Sequence, residues 1–314
     1  MQEQKFFNEG GSGFHRHDKP ARNASESDPV SKDYSDMTKG GVEHAKKVAR
    51  EEILSAIESA PKEALVFLGA KTDQKRTGQT AEIWGEALKE VLVERDDIVV
   101  ITKADIDEQR KGMESEGKIL DKIKEQIASW PGKKIVIAYP LFIKQMGYGY
   151  ENRWTQKNPE TGKVDKTEYF AQILKKHNND HAESIHDWLA NDGTLTLPDG
   201  RTIQGPRPED IARQYLEGLK RLYNFTKKQI PDRPVLVHGV GHQWDLDAVA
   251  TFLAKGKVTY EDWFEVMGKP DAKPSGQVIG EGEGVNDIVI DPKTGMTQVV
   301  YRGKKFSYSP TAEN

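Results

Sequence analysis

Three short stretches of this 314-residue chain hold side chains suited to one anion. GFHRHDKP carries Arg16 and His17, KRTGQTAEIW carries Arg76, and VLVHGVGH ends on His242. Guanidinium groups bind phosphate oxygens through forked, charge-assisted hydrogen bonds. A neutral imidazole nitrogen can attack phosphorus in line and hold the group as phosphohistidine, which splits one displacement into two. Two arginines, two imidazoles and a helix N-terminus with its free N–H groups make a pocket for a dianionic phosphoryl group. Taken singly, each residue is bland: Arg16-His17 reads as a basic surface turn, and Arg76 as a solvated arginine at a helix start.

A parallel sheet would bring residues 16, 76 and 242 together. ALVFLGA, DIVVITKA, KKIVIAYP and RPVLVHGVGH are short, apolar, β-branched runs, and QTAEIWGEALKEVL, GKILDKIKEQIASW, EDIARQYLEGLKRLYNF and DLDAVATFLAK carry helical patterning. This alternation predicts an α/β fold, layered α/β/α, with a mostly parallel central sheet covered on both faces. The C-terminal ends of parallel strands share one edge, where ligands bind. Arg16 follows a possible short strand, Arg76 follows ALVFLGA, and His242 closes VLVHGVGH, so all three fall at that edge. Ahead of the first long helix, ARNASESDPVSKDYSD reads as a loop. Thr38 is placed to N-cap TKGGVEHAKKVAREEILSAIESA, where Val42, Ala45, Val48, Ala49, Ile53 and Ala56 recur at steps of three and four.

Two segments stand outside the alternation. Residues 140–206 form a cap or lid insertion with the aromatic stretch MGYGYENRW, a turn at Pro159-Glu160-Thr161-Gly162 and one helical piece at EYFAQILKKH. Near the end, VNDIVIDPKTGMTQVVYRGKKFSYS predicts two or three antiparallel strands, with DPKTG as a turn. The expected organisation is an α/β core of residues 1–139 and 207–268, the cap at 140–206, and an antiparallel β extension at 269–314.

Composition narrows the partners. Lys and Arg number 46 against 50 Asp and Glu, a net charge of −4 with no long block of one sign. That balance gives no electrostatic argument for nucleic acid or an anionic membrane. Neither a membrane span nor a secretory leader is visible. The absence of cysteine excludes disulfides, thiolate nucleophiles and cysteine-ligated zinc, and fits a reducing cytoplasm.

With these pieces in order, the chain resembles the histidine phosphatase superfamily, the phosphoglycerate mutase-like group that includes cofactor-dependent phosphoglycerate mutases and acid phosphatases. Arg16-His17 followed by Asn23 is similar to the family's opening Arg-His with an Asn six residues on. SDMTKGGVEHAKKVA resembles the next helix start, KRTGQTAEIW the segment bearing the second phosphate arginine, IDEQRKG the piece bearing the acid, and VLVHGVGH the strand ending in the second histidine. The likeness runs from Gly13 to Lys257 with an enlarged cap. It implies a phosphomonoesterase acting on a small phosphorylated substrate without cofactor or metal. His17 would be the nucleophile, Glu108 the acid, and His242, Arg16, Asn23 and Arg76 the ligands of the oxygens. A phosphomutase would share every one of these residues, and a phosphate-binding or scaffolding protein that has lost turnover is a further alternative.

The chain also departs from that pattern. Asp18 replaces the family's glycine after the histidine, GAKTDQ lacks Ser-Ser-Pro ahead of Arg76, and GGSGFH is a poor first strand. Asp18 either repels phosphate or hydrogen-bonds the backbone of the ARN loop. His238 competes with His242, and Asp245 with Glu108. His177, His181 and His186 have no HExxH spacing and read as a solvated face rather than a metal site.

Overall fold

The computed structural model describes residues 12–70, 75–109, 117–139, 153–162, 164–230, 233–268, 278–290 and 296–309. Strands β1 (Gly13–Arg16), β2 (Leu65–Ala70), β3 (Ile98–Thr102) and β4 (Lys134–Ala138) are followed by four short ones, β5 (Thr155–Lys157), β6 (Val164–Lys166), β7 (Thr194–Thr196) and β8 (Thr202–Gln204). The chain then adds β9 (Val235–Gly241), β10 (Gly284–Ile290), β11 (Thr297–Tyr301) and β12 (Lys304–Tyr308). The main sheet has the order β12-β11-β10-β1-β9-β2-β4-β3. From β1 to β3 every pairing is parallel, whereas β10 runs antiparallel to β1, and β11 and β12 continue antiparallel.

The apolar strand runs are continuous because the sheet is buried on both faces, and successive side chains point to opposite sides. Leu65, Phe67, Ile135, Ile137, Val235 and Val237 enter one core, with Ile211, Tyr215, Leu246 and Val249 from helices Pro208–Gln229 and Gln243–Lys255. Val66, Leu68, Val136, Ala138, Leu236 and Val240 enter the other, with Val42, Ile53, Ile57, Trp84 and Leu88. The layered α/β/α expectation therefore holds, and so does the antiparallel C-terminal run. DPKTG itself lies outside the described residues.

Thr38 caps the first helix as expected, its hydroxyl oxygen accepting from the Gly41 N–H at 3.0 Å. The helix is not uniform, however: helix Lys39–Val48 passes through a π-helical turn, Ala49–Ile53, into helix Leu54–Ser59. Ala45, Ala49, Ile53 and Ile57 are all fully buried. Three successive steps of four outrun the 3.6 residues per α-helical turn, and the wider π turn absorbs the drift so that the stripe stays on the sheet.

In the region expected to be a cap, two helices form, Glu168–Lys176 and His181–Ala190, where the pattern predicted one. The Pro159–Gly162 turn joins β5 to β6, and β7 pairs with β8. Most of MGYGYENRW lies outside the described residues. Its last residue, Trp154, packs at ring-centroid distances of 4.8 to 5.4 Å from Trp244, Trp188 and Phe170.

Candidate phosphoryl site

Three chain segments meet at the C-terminal edge of the parallel strands. Arg16 ends β1 in register with Gly241, the last residue of β9. The His17 N–H then donates to the Gly241 carbonyl at 3.2 Å. His242 follows directly as the N-cap residue of helix Gln243–Lys255. Arg76 stands in the first turn of helix Lys75–Val91, which follows β2. Parallel pairing of β1 with β9 thus sets Arg16, His17 and His242 at one level, and Arg76 reaches His17 from its helix.

The imidazole of His17 is 4% exposed, and its two nitrogens have opposite duties. Nδ1 lies 2.8 Å from the Asp18 carbonyl oxygen, which can only accept. The Arg76 Nε–H, which can only donate, points at Nε2 over 3.1 Å. The ring is therefore the neutral Nδ1–H tautomer with its Nε2 lone pair turned into the cluster. Burial, then the nearby Arg76 charge, push its pKa down to about 3. His242 packs edge-on against it with centroids 5.3 Å apart. Burial holds His242 well below the ordinary histidine value, helped by His17 and Arg76.

The arginines crowd one another. Burial, and then Arg22 and Arg16, lower the Arg76 pKa to about 10. Arg16 Nη1 donates to the Ile279 carbonyl at 2.9 Å, its Nη2 stands 3.7 Å from Glu281 Oε1, and its buried Nε has no hydrogen bond among the described residues. Cations held this close in partial burial favour a polyanionic ligand.

Of the expected site residues, Arg16, His17, Arg76 and His242 come together. Asn23 is exposed, and its Nδ2 donates to Glu281 Oε1 at 3.4 Å, so it reaches Arg16 through that carboxylate. Glu108 lies on helix Lys103–Gln109 after β3, and its side chain is outside the described residues. His238 is buried within β9, its ring 6.1 Å from that of His15.

Asp245 is fully buried and accepts from Trp154 Nε1 at 3.0 Å and from the Tyr215 hydroxyl at 3.1 Å. It ties Trp154 to Tyr215 in the core. The Asp18 carboxylate does not hydrogen-bond the backbone of the ARN loop, and its charge acts on Arg16. The Asp18 backbone carbonyl orients His17, while the buried carboxylate accepts from His44 Nδ1 at 2.5 Å. That hydrogen bond raises the His44 pKa, while burial raises that of Asp18.

The solvated-face reading of the remaining histidines is corrected too. His177 Nε2 pairs with Asp187 at 2.9 Å, His186 Nε2 with the Tyr260 hydroxyl at 3.0 Å, and His181 Nδ1 accepts from Trp244 Nε1 at 3.3 Å. Burial, then Arg22 and Arg16, lower the His181 pKa to about 4, so this helix N-terminus feels the arginine cluster.

Two contributors escaped the sequence reading. Arg22, one position before Asn23, acts electrostatically on His17, Arg76 and His242. Segment 278–283 supplies Ile279 and Glu281 to Arg16 from more than 260 residues away, and no local signal marks it. Among the described residues no three His, Cys, Asp or Glu side chains group as a metal site, and no helix is long and apolar enough to cross a membrane.

No family model and no curated protein matches the sequence. Among solved structures, a native mycobacterial glucosyl-3-phosphoglycerate phosphatase is 13% identical, with 96% of this chain and 98% of that chain covered and a TM-score of 0.38. Its complex with inorganic phosphate is 15% identical, with 96% and 95% covered and a TM-score of 0.38. A mycobacterial hydrolase is 15% identical, with 96% of each chain covered and a TM-score of 0.39. Likeness at this level decides neither fold nor chemistry, and both rest on the geometry above.

Proposed function

We propose that the chain is a phosphomonoester hydrolase of the histidine phosphatase type, phosphoglycerate mutase-like, working through a phosphohistidine on His17. The observation that carries this reading is the fixed tautomer of His17: Nδ1–H rests on the Asp18 carbonyl, and Nε2 faces the arginines. A base already neutral needs no deprotonation before attack.

In the first step Nε2 bonds to phosphorus as the ester P–O bond breaks, and Glu108 protonates the departing alkoxide. Arg16, Arg76, Asn23 and His242 hold the equatorial oxygens, where negative charge must be stabilised in the transition state. In the second step the Glu108 carboxylate takes a proton from water, the water oxygen bonds to phosphorus, and the P–N bond breaks to free inorganic phosphate. The substrate is a small phosphorylated molecule and the compartment the cytoplasm. No nucleic acid, membrane or cofactor is called for. The core of 1–139 and 207–268, the cap of 140–206 and the β extension of 269–314 are the units of this reading.

The test is release of phosphate from para-nitrophenyl phosphate. His17→Ala is expected to lose about three orders of magnitude or more of turnover with an unchanged circular dichroism spectrum. Equal rates for variant and wild type would refute the assignment, and transfer to an added alcohol in place of phosphate release would make the protein a mutase.

A further inference from the structure

On the reading of this site as a phosphoryl pocket, we propose that Glu281 determines which anions enter it. Its carboxylate is a resident counter-ion on Arg16 and Asn23 that an incoming oxyanion must displace. The placement is built. Glu281 Oε1 stands 3.7 Å from Arg16 Nη2 and 3.4 Å from Asn23 Nδ2, so one oxygen holds two of the expected phosphate ligands at once.

The segment that presents it is pinned on both sides. Glu283 takes a two-pronged contact from Arg302, at 2.6 Å from Nε and 3.0 Å from Nη2, and the Glu283 carboxylate also accepts from the Gly280 N–H at 2.8 Å. The Ile279 peptide bridges buried Asp247 and half-buried Arg16, its N–H donating to Asp247 Oδ1 at 3.2 Å and its carbonyl accepting from Arg16. Between these anchors Glu281 is flanked by Gly280 and Gly282. Gly282 has φ +73°, and a Cβ there would lie 2.3 Å from the His44 ring. No other residue fits that position without strain. A fixed backbone with a glycine on each side presents one part-exposed side chain to the arginine.

Exchange then depends on charge. A monoanion replacing the Glu281 carboxylate trades like for like against the guanidinium. A dianionic phosphoryl group brings one more negative charge to Arg16, Arg22 and Arg76, so it overcomes a threshold that weaker anions do not. Once displaced, Glu281 releases Asn23 to the oxygens.

Calorimetric titration with inorganic phosphate near neutral pH tests this in the wild type, Glu281→Gln and Glu281→Ala. Both variants are expected to bind phosphate about two- to fivefold more tightly, the range for releasing a partly exposed ion pair. Unchanged or weaker binding in both overturns the proposal and leaves Glu281 a positioning residue. Absence of phosphate binding in all three proteins overturns the phosphoryl-site reading and this proposal together.

Discussion

His17 draws its chemistry from a proton it does not take up. Its folded-state pKa of about 3 lies below the 6.5 of the unfolded chain. Between those values the unfolded chain binds a proton that the folded protein refuses, so this residue costs stability as pH falls from 6.5 toward 3. Asp247 works with the opposite sign. Burial raises it to about 7 from 3.8, so the folded protein binds the extra proton and loses stability as pH rises through that window. A variant lacking only His17 separates the two, because Asp247 contributes to both proteins. The unfolding free energy of His17→Ala relative to wild type is expected to move in the variant's favour by about 2 kcal/mol from pH 7 to pH 5, read by urea denaturation. A difference that does not change with pH would mean that His17 is solvated and titrates normally. At this scale Arg16, His17, Arg76 and His242 were legible from residue type and position after strands. The partner of Asp18 was not, because His44 lies one helix away and nothing adjacent to Asp18 announces it.

Elements were legible where one period dominated. The four buried strands stand where their β-branched runs lie, and Thr38 caps where its hydroxyl can reach Gly41. The π turn was missed because steps of three and four were both read as ordinary helix. Helix Lys75–Val91, which carries Arg76, shows where propensity and packing conflict. Gly85 is buried on it, and a Cβ there would come within 2.3 Å of the Ala138 Cβ on β4. Helix propensity alone favours Gly85→Ala by about 1 kcal/mol. The contact reverses the sign, because overpacking between helix and sheet costs about 1–3 kcal/mol. Chemical denaturation of Gly85→Ala is therefore expected to give a net loss of stability, and a gain would show that the helix does not sit this close to β4.

For the whole molecule, the alternating pattern gave the layers and the shared strand edge, but not what closes them. The last strands were expected as an extension, and they complete the main sheet: β10 pairs with β1, matching Phe14 to Val285, and brings segment 278–283 onto Arg16. Pairing across some 270 residues leaves no local trace, and register is set only when both strands meet. The result is a cluster assembled from the first strand, helices Lys75–Val91 and Gln243–Lys255 and segment 278–283, with the imidazoles of His17 and His242 edge to face. The most direct measurement is rapid quenching of wild-type protein during turnover of para-nitrophenyl phosphate, followed by peptide mass spectrometry. An acid-labile, base-stable phosphoryl group on the peptide containing His17, absent in His17→Ala, is the expected result. Steady hydrolysis by wild type with no phosphoryl group trapped on His17 would contradict the account.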